Sequence, residues 1–315
     1  MNALPDLLRL LSLPLFGWAA VRDVRTRRVP NRTWLPLLVL GAALLAWDVA
    51  NVLRGAASGD IGMVVLRLVI SLGVVAPLGV LFWRVGAFGG ADAKALTTLC
   101  LLFPFVPTYR PFDSLVVPLA ETSGVFSLTV LTNAALVGGT VPFVLFARNA
   151  LAGRVGLVGF LGRPVRWREL PETHGRLLAR ANGLEAGLDL DALRMYLRWR
   201  ETTLETLRAS PDRSRDPASL PAERHTPGDG AIGPLTDGGE RADPWGAAAF
   251  LDAVEGSAYG TTPARLRAAL DALVRRDQLW VTPAIPFLVP LFAGLCLALV
   301  YGDLLYAVLG ALGLF

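Results

Sequence analysis

Two aspartates in apolar surroundings are the residues of this chain whose type and placement could do chemistry. Asp92 lies in the run Phe88-Gly89-Gly90-Ala91-Asp92, where a glycine-rich stretch leads into an apolar helix, and Asp23 ends the first apolar segment. Acidic residues inside membrane segments are costly and usually functional. Two carboxylates held a few ångströms apart share a proton, so one can activate a water molecule while the other protonates a peptide carbonyl. The pair therefore predicts an aspartyl protease.

Five further residues are predicted to shape the site or contact the substrate. Gly89 and Gly90 lack side chains, so they allow a substrate backbone to approach closely and tolerate unusual backbone angles. Lys94, the only lysine in the chain, follows Asp92 by two residues. Pro283 and Pro286 belong to a proline-rich segment that should unwind the start of the last apolar helix, and non-helical backbone at membrane depth is tolerated where it lines a cavity.

Each aspartate also has a simpler interpretation. Asp23 could be a helix-end acid neutralised by the arginines around it, and Asp92 could cap the start of its helix, where a negative charge is favourable. A transporter would use the same two acids as proton or cation sites, and an inactive scaffold would use neither. The matching depth of the two acids favours the protease pair, because a transporter needs polar residues distributed across the bilayer.

The elements that must position these residues are membrane helices. The chain has 315 residues, of which 53% are hydrophobic, and its mean hydropathy is +0.50. Apolar stretches of roughly 17–25 residues predict membrane-spanning helices. We therefore expect an all-α polytopic membrane protein with about six spans, the last of which could continue through residues 304–315. The six spans are predicted near residues 5–22, 34–54, 61–83, 92–107, 125–147 and 284–301.

The distribution of arginine predicts the orientation in the membrane. Loops one, three and five carry an excess of basic residues, whereas Arg54 is balanced by Asp60 in loop two and Arg110 by Asp113 and Glu121 in loop four. Since basic loops stay in the cytoplasm, both termini should lie outside. Asp23 and Asp92 then share the cytoplasmic face of a multi-pass protein of the cell membrane.

Residues 150–280 are predicted to form a cytoplasmic insertion that is largely helical or disordered, whereas residues 1–149 and 281–315 form the transmembrane peptidase domain. Helices are expected near 184–208 and 262–276, the second with Thr262 as N-cap and Pro263 at its first position. Residues 210–244 are rich in Pro, Gly, Ser and charge, which predicts a loop or disorder. The stripe at residues 196–200 could lie on the membrane surface, but a packed helix face is the more common outcome.

Neither a metal site nor a cofactor is expected. Cys100 and Cys296 both lie in apolar segments, which argues against disulfides and zinc and favours two buried apolar side chains. His174 and His225 have no Cys or paired His nearby and are predicted to be solvated surface residues. The expected partners are protein substrates and the lipid bilayer, with no nucleic acid.

Taken together, three motifs resemble the archaeal prepilin and preflagellin (archaellin) signal peptidases, a branch of the GxGD membrane aspartyl proteases. They are Asp23 with the Arg-Arg-Val-Pro-Asn sequence after it, the Gly90-Ala91-Asp92 triplet, and the Pro-Ala-Ile-Pro-Phe segment that begins at Pro283. Gly90 and Asp92 are matched to the glycine and the catalytic aspartate of the motif, whereas Ala91 departs from its second glycine, as in the archaeal branch. The resemblance covers residues 5–147 and 280–303.

The resemblance implies a substrate and two catalytic residues. Asp23 and Asp92 would be the catalytic pair, and the substrates would be prepilins and prearchaellins, which carry a short basic leader before a hydrophobic helix. Cleavage would fall at the cytoplasmic boundary of that helix, the depth at which the two aspartates are predicted. The size of the insertion and the arginine-rich composition resemble haloarchaeal members.

Overall fold

The computed structural model describes residues 3–55, 61–85, 88–112, 115–120, 122–178, 186–220, 244–254, 258–284 and 286–314. In chain order the α-helices are α1 (Ala3–Arg9), α2 (Ser12–Thr26), α3 (Trp34–Leu53), α4 (Ile61–Ile70), α5 (Ala76–Arg84), α6 (Gly90–Leu102), α7 (Phe126–Leu151), α8 (Val158–Leu161), α9 (Leu190–Trp199), α10 (Leu204–Ala209), α11 (Pro211–Arg215), α12 (Ala247–Asp252), α13 (Pro263–Arg275), α14 (Leu288–Val300) and α15 (Leu304–Ala311). The strands are β1 (Tyr109–Phe112), β2 (Leu115–Val117), β3 (Arg163–Arg166), β4 (Gly175–Leu178), β5 (Ala186–Asp189) and β6 (Gln278–Pro283).

The chain divides into two compact units. The first comprises Met1–Val141 and Pro286–Phe315, and the second comprises Pro142–Ile285. Helix α7 begins in the first unit and ends in the second. Both aspartates of the predicted pair therefore belong to the first unit.

The predicted all-α polytopic membrane fold is confirmed. Among the described residues, four helical segments are long and apolar enough to cross a membrane: Leu4–Thr26, Asn31–Leu53, Ile61–Arg84 and Phe126–Leu151. Helices α14 and α15 are long and apolar enough only when taken together, and they are bent by 70° at the break between them, as in a broken fifth span or a re-entrant loop. Helix α6, predicted as a span over 92–107, has only 13 residues. At 1.5 Å per residue it is about 20 Å long, short of the roughly 30 Å hydrocarbon core.

Close helix packing around α6 forms the core of the first unit. Leu96 and Leu99 of α6 are fully buried. A Cβ atom placed on Gly79 of α5 would lie 3.0 Å from Leu96, and one placed on Gly41 of α3 would lie 3.2 Å from Leu101. Small residues let neighbouring membrane helices approach in this way. Helix α6 is therefore held on two sides, by α3 and by the helical segment Ile61–Arg84 that ends in α5.

The second unit contains a sheet that the sequence did not predict. Its four antiparallel strands are arranged in the order β3-β6-β4-β5, and β3 pairs with β6 from the far end of the unit, with Arg163 opposite Val281. The expected helix near 262–276 is α13, and its predicted cap is confirmed, because the Thr262 side chain accepts a hydrogen bond from the Arg265 N–H. The expected helix near 184–208 is divided into β5, α9 and α10.

The structure decides several smaller predictions. Tyr196 and Trp199 of the aromatic stripe are fully buried, so the packed helix face is confirmed and the membrane-surface alternative is wrong. Residues 211–219 were expected in a loop but form α11 and a 3-10 turn. Two contacts hold this stretch: Leu220 is buried in the core, and the Arg215 side chain donates a hydrogen bond to Asp271. The remainder of that stretch, residues 221–243, lies outside the described residues.

The predicted cysteine and histidine environments differ in outcome. Both cysteines are free. Cys100 is buried, as predicted, whereas Cys296 is only half-buried. His174 is half-buried and its Nδ1 lies 3.9 Å from Asp191, so its prediction as a solvated surface residue is wrong. His225 lies outside the described residues.

Candidate functional site

Asp23 lies in the last turn of α2 and is buried, with 8% of its surface exposed. The helix ends at Thr26, and the next residue, Arg27, adopts a left-handed conformation with φ 55° and donates its backbone N–H to the Asp23 carbonyl at 3.0 Å. A left-handed residue after a helix reverses the chain direction. The turn therefore brings the Arg27 guanidinium back toward the carboxylate that precedes it by one helical turn.

Asp92 lies in the first turn of α6 and is half-buried. Its Oδ2 accepts a hydrogen bond of 2.9 Å from the Gly89 backbone N–H. The alternative that Asp92 stabilises a helix start is thus correct in part, since it occupies the third helical position and binds back to the cap residue. This hydrogen bond fixes the carboxylate and leaves its other oxygen for further chemistry.

A glycine is required at position 89 because the Asp92 carboxylate lies close to its backbone, not because the backbone is unusual. Its φ of −72° and ψ of 160° are ordinary extended values, so the tolerance of unusual backbone angles that glycine offers is not used at this position. A Cβ atom at this position, however, would lie 3.2 Å from Asp92 Oδ2, and a larger residue would displace the carboxylate. Gly90 is less constrained, because its Cβ would lie at an ordinary 3.6 Å from Trp83 Nε1.

The first unit brings Asp23 and Asp92 together. The two carboxylates lie close enough to interact electrostatically, and the Arg27 guanidinium acts on both of them. The Asp23 charge disfavours ionisation of Asp92, while the guanidinium favours it. The cluster therefore favours a state with one protonated and one ionised carboxyl group, which general acid–base hydrolysis requires.

Lys94 does not contact the carboxylate pair. Its Nζ donates a hydrogen bond of 2.6 Å to Asn31 Oδ1, in the turn between α2 and α3. Two residues along an α-helix correspond to a rotation of about 200°, so Lys94 and Asp92 lie on opposite sides of α6. On the Lys94 side is a cavity of about 410 Å³, lined by Asn31, Trp34, Leu35, Leu38, Val80, Trp83, Gly90, Ala93, Lys94, Thr97 and Thr98.

The two prolines lie in different units. Pro286 immediately precedes Phe287, whose ring lies 4.2 Å from that of Phe88, next to the glycines of the Asp92 loop. The start of α14 therefore packs against this loop. Pro283 is instead the last residue of β6 and pairs with Gly175 in the second unit, so the predicted unwound helix start is a strand at this position.

Arg27 and Phe287 are the members of this cluster that the sequence reasoning missed. Arg27 follows Asp23 by four residues, a spacing that brings oppositely charged side chains together on a helix. This signal was present, but five arginines occur in the segment and the spacing alone does not show where the helix ends. Phe287 carried no local signal, because its contact with Phe88 joins residues that are far apart in the sequence.

Comparisons with known proteins found two family matches and a similar archaeal peptidase. Residues 10–144 match the type IV leader peptidase family, and residues 236–304 match the archaeal Peptidase A24 C-terminus, type II. The prepilin peptidase EppA of Methanothermobacter thermautotrophicus is 30% identical to this chain over 129 residues, which is 41% of this chain and 31% of that relative. The matched segment thus spans about a third of the relative's length. The first family match includes Asp23 and Asp92, and the second includes Pro283 and Pro286.

Proposed function

Because this chain belongs to the type IV leader peptidase family, we propose that it is an aspartyl endopeptidase that removes the short basic leader from prepilins and prearchaellins. The catalytic residues are Asp23 and Asp92. The observation that carries the proposal is the meeting of these two carboxylates with one guanidinium in the first unit. The name of the similar prepilin peptidase supports the substrate class.

The proposed reaction is hydrolysis by a shared-proton pair. The ionised carboxylate takes a proton from a water molecule as the water oxygen attacks the scissile peptide carbon, and the protonated carboxylate donates its proton to the carbonyl oxygen. The tetrahedral intermediate then collapses, the C–N bond breaks, and the leaving amine takes a proton from the pair. Neither a covalent intermediate nor a cofactor is required, since water is the nucleophile.

The residues around the pair have supporting roles in this proposal. Gly89 holds Asp92 through its backbone N–H, and Gly90 and the Pro286 segment leave room for an extended substrate. Lys94 binds Asn31 and fixes the loop between α2 and α3 relative to α6. The active site faces the cytoplasm, where the basic leader of the substrate remains while its hydrophobic helix lies in the bilayer.

Coexpression with a tagged prepilin or prearchaellin tests the assignment. We expect Asp23→Asn and Asp92→Asn each to abolish leader removal, measured as a mobility shift, because Asn keeps the size of Asp but cannot transfer the proton. Asp212→Asn is the matched control, since the Asp212 side chain is 94% exposed in the second unit. Leader cleavage at the wild-type rate by Asp23→Asn or by Asp92→Asn, compared at equal amounts of membrane-inserted protein, would falsify the assignment of the catalytic pair.

A further inference from the structure

The loop that follows α7 exposes large hydrophobic side chains in an unusual way. Leu151 is 91% exposed, Val155 77% and Leu157 73%. These three residues lie within seven positions of one another and belong to the second unit. Single exposed apolar residues are common on protein surfaces, but a contiguous exposed set marks an interaction site.

The shape of this loop, residues 151–157, is fixed by contacts at its base. Asn149 is buried and its side-chain amide donates hydrogen bonds to the carbonyls of Gly159 at 2.9 Å and Gly162 at 2.8 Å. The Arg154 backbone N–H donates to the Asn149 carbonyl at 2.8 Å. Asn149 therefore fixes the base of the loop, because its side chain holds the chain that follows the loop and its backbone carbonyl holds Arg154 within it.

Aromatic stacking returns the chain to α7 after the loop. The rings of Phe146 in α7 and Phe160 in α8 are stacked with their centroids 4.1 Å apart. Phe160 also makes an edge contact with Phe143 at 6.0 Å. Phe160 of α8 is thus used internally, whereas Leu151, Val155 and Leu157 are far more exposed than Leu161 of α8, which is 40% exposed.

The length of α7 places this loop at the edge of the bilayer. Its 26 residues give a helix about 39 Å long, which exceeds the roughly 30 Å hydrocarbon core and ends within the headgroup region. Amphipathic segments at this level bury their apolar side chains about 5–10 Å into the headgroup–hydrocarbon boundary. Leu151 and the loop that follows it therefore lie within reach of the lipid.

The charge around the loop selects the kind of surface it contacts. The loop is flanked in the sequence by basic residues, with Arg154 inside it and Arg148 and Arg163 on either side. The sequence has no Asp or Glu between Arg148 and Glu169. Anionic lipid headgroups attract basic residues that lie next to a membrane helix. We propose that the loop at residues 151–157 is a membrane-interface anchor that inserts Leu151, Val155 and Leu157 into a leaflet with anionic headgroups.

A fluorescent probe on the loop tests this proposal in the full chain. In a Cys100→Ala, Cys296→Ala background, Val155→Cys carries a nitrobenzoxadiazole label, and Asp212→Cys carries the same label as the exposed control. Both proteins are placed in nanodiscs made of equal parts of phosphatidylcholine and phosphatidylglycerol. We expect a blue-shifted emission at residue 155 that is quenched by brominated lipid tails, and a water-like, unquenched emission at residue 212.

Three results would overturn the proposal. Emission and quenching at residue 155 equal to those at residue 212 would show that the loop lies in water. A blue shift that grows with protein concentration and is insensitive to brominated tails would show that a second copy of the chain covers the loop. An emission at residue 155 that is blue-shifted equally in nanodiscs of pure phosphatidylcholine would show that anionic headgroups have no role. These results do not depend on leader cleavage, so they are distinguishable from a failure of the proposed function.

Discussion

At the scale of single residues, Arg27 sets the charge balance of the carboxylate pair. Its guanidinium acts on both Asp23 and Asp92, and a nearby positive charge favours the ionised form of a carboxylate. The reaction needs one ionised member. Arg27 is therefore a positioning and electrostatic residue whose removal should change the pH dependence of the reaction more than the fold.

We expect Arg27→Gln to move the acid limb of the pH–rate profile for leader cleavage to higher pH by about one unit. The reason is that without the guanidinium a higher pH is needed to keep one carboxylate ionised. Arg27→Lys is the matched control, because it keeps the charge and faces the same left-handed backbone conformation. Profiles that coincide with the wild type for both variants would show that Arg27 has no electrostatic role.

Lys94 is expected to act through structure rather than chemistry. Lys94→Arg should cleave precursor almost as well as the wild type, and Lys94→Ala should be moderately slower, because the hydrogen bond to Asn31 is lost. If Lys94 and Asn31 act as one unit, Asn31→Ala should slow cleavage to a similar extent. The Lys94→Ala, Asn31→Ala double variant should then cleave no more slowly than either single variant. A Lys94→Arg variant as inactive as Asp92→Asn would instead require a direct chemical role.

At the scale of elements, close helix contacts hold the short helices of the first unit. A Cβ atom on Gly294 of α14 would lie 2.6 Å from the Ala134 backbone nitrogen and 2.8 Å from the Val130 carbonyl oxygen of α7. Neither atom can move without shifting a helix. The packing of α14 on α7 therefore depends on the absence of a side chain at this position.

Gly294→Ala should accordingly lower the free energy of unfolding by about 1–3 kcal/mol, as overpacking typically does. Gly139→Ala in α7 is the matched control, because a Cβ there would meet no atom within 4 Å, and it should be neutral or slightly stabilising. Thermal unfolding in detergent measures the difference. Equal midpoints for the two variants would show that α7 and α14 separate more easily than the contact indicates.

Local signals in the sequence predicted much of the fold, and contacts between distant residues account for the rest. Thr262 and Pro263 start a helix through neighbouring atoms, so α13 could be read directly. The strand β3 could not, since Arg163 becomes a strand residue only by pairing with Val281. The placement of Asp23 at a helix end and of Asp92 at a helix start could be read from the apolar pattern, but the position of Arg27 depends on a left-handed residue that no composition rule specifies.

At the scale of the whole first unit, its acids are compensated in two places by a shared guanidinium. Asp6 and Asp48 both bind Arg9, and Asp303 accepts hydrogen bonds from Thr129 and from the start of α15. The charges of these three acids are thus used in holding helices together. Arg27 likewise acts on both Asp23 and Asp92. What distinguishes this second pair is its place beside the glycines of the α6 start, where the Gly89 N–H holds Asp92 Oδ2.

The proposed reaction also requires that Asp23 faces the cytoplasm. Five arginines follow or flank the end of α2, at positions 22, 25, 27, 28 and 32, whereas Arg54 is balanced by Asp60 after α3. Basic residues in short loops are retained in the cytoplasm. Thr26, three residues after Asp23, is exposed and reports on the same face of the membrane.

A single cysteine at Thr26, in the Cys100→Ala, Cys296→Ala background, should react with a membrane-impermeant thiol reagent only in inverted vesicles or opened cells. A cysteine at Arg54, which is also exposed, should react in intact cells, and this substitution leaves the positive-inside bias in place because it removes a charge from the outer loop. The substrate leader is basic and remains in the cytoplasm, so the carboxylate pair must meet it there. Labelling at Thr26 in intact cells would place Asp23 on the outer face and remove the basis for leader cleavage by this pair.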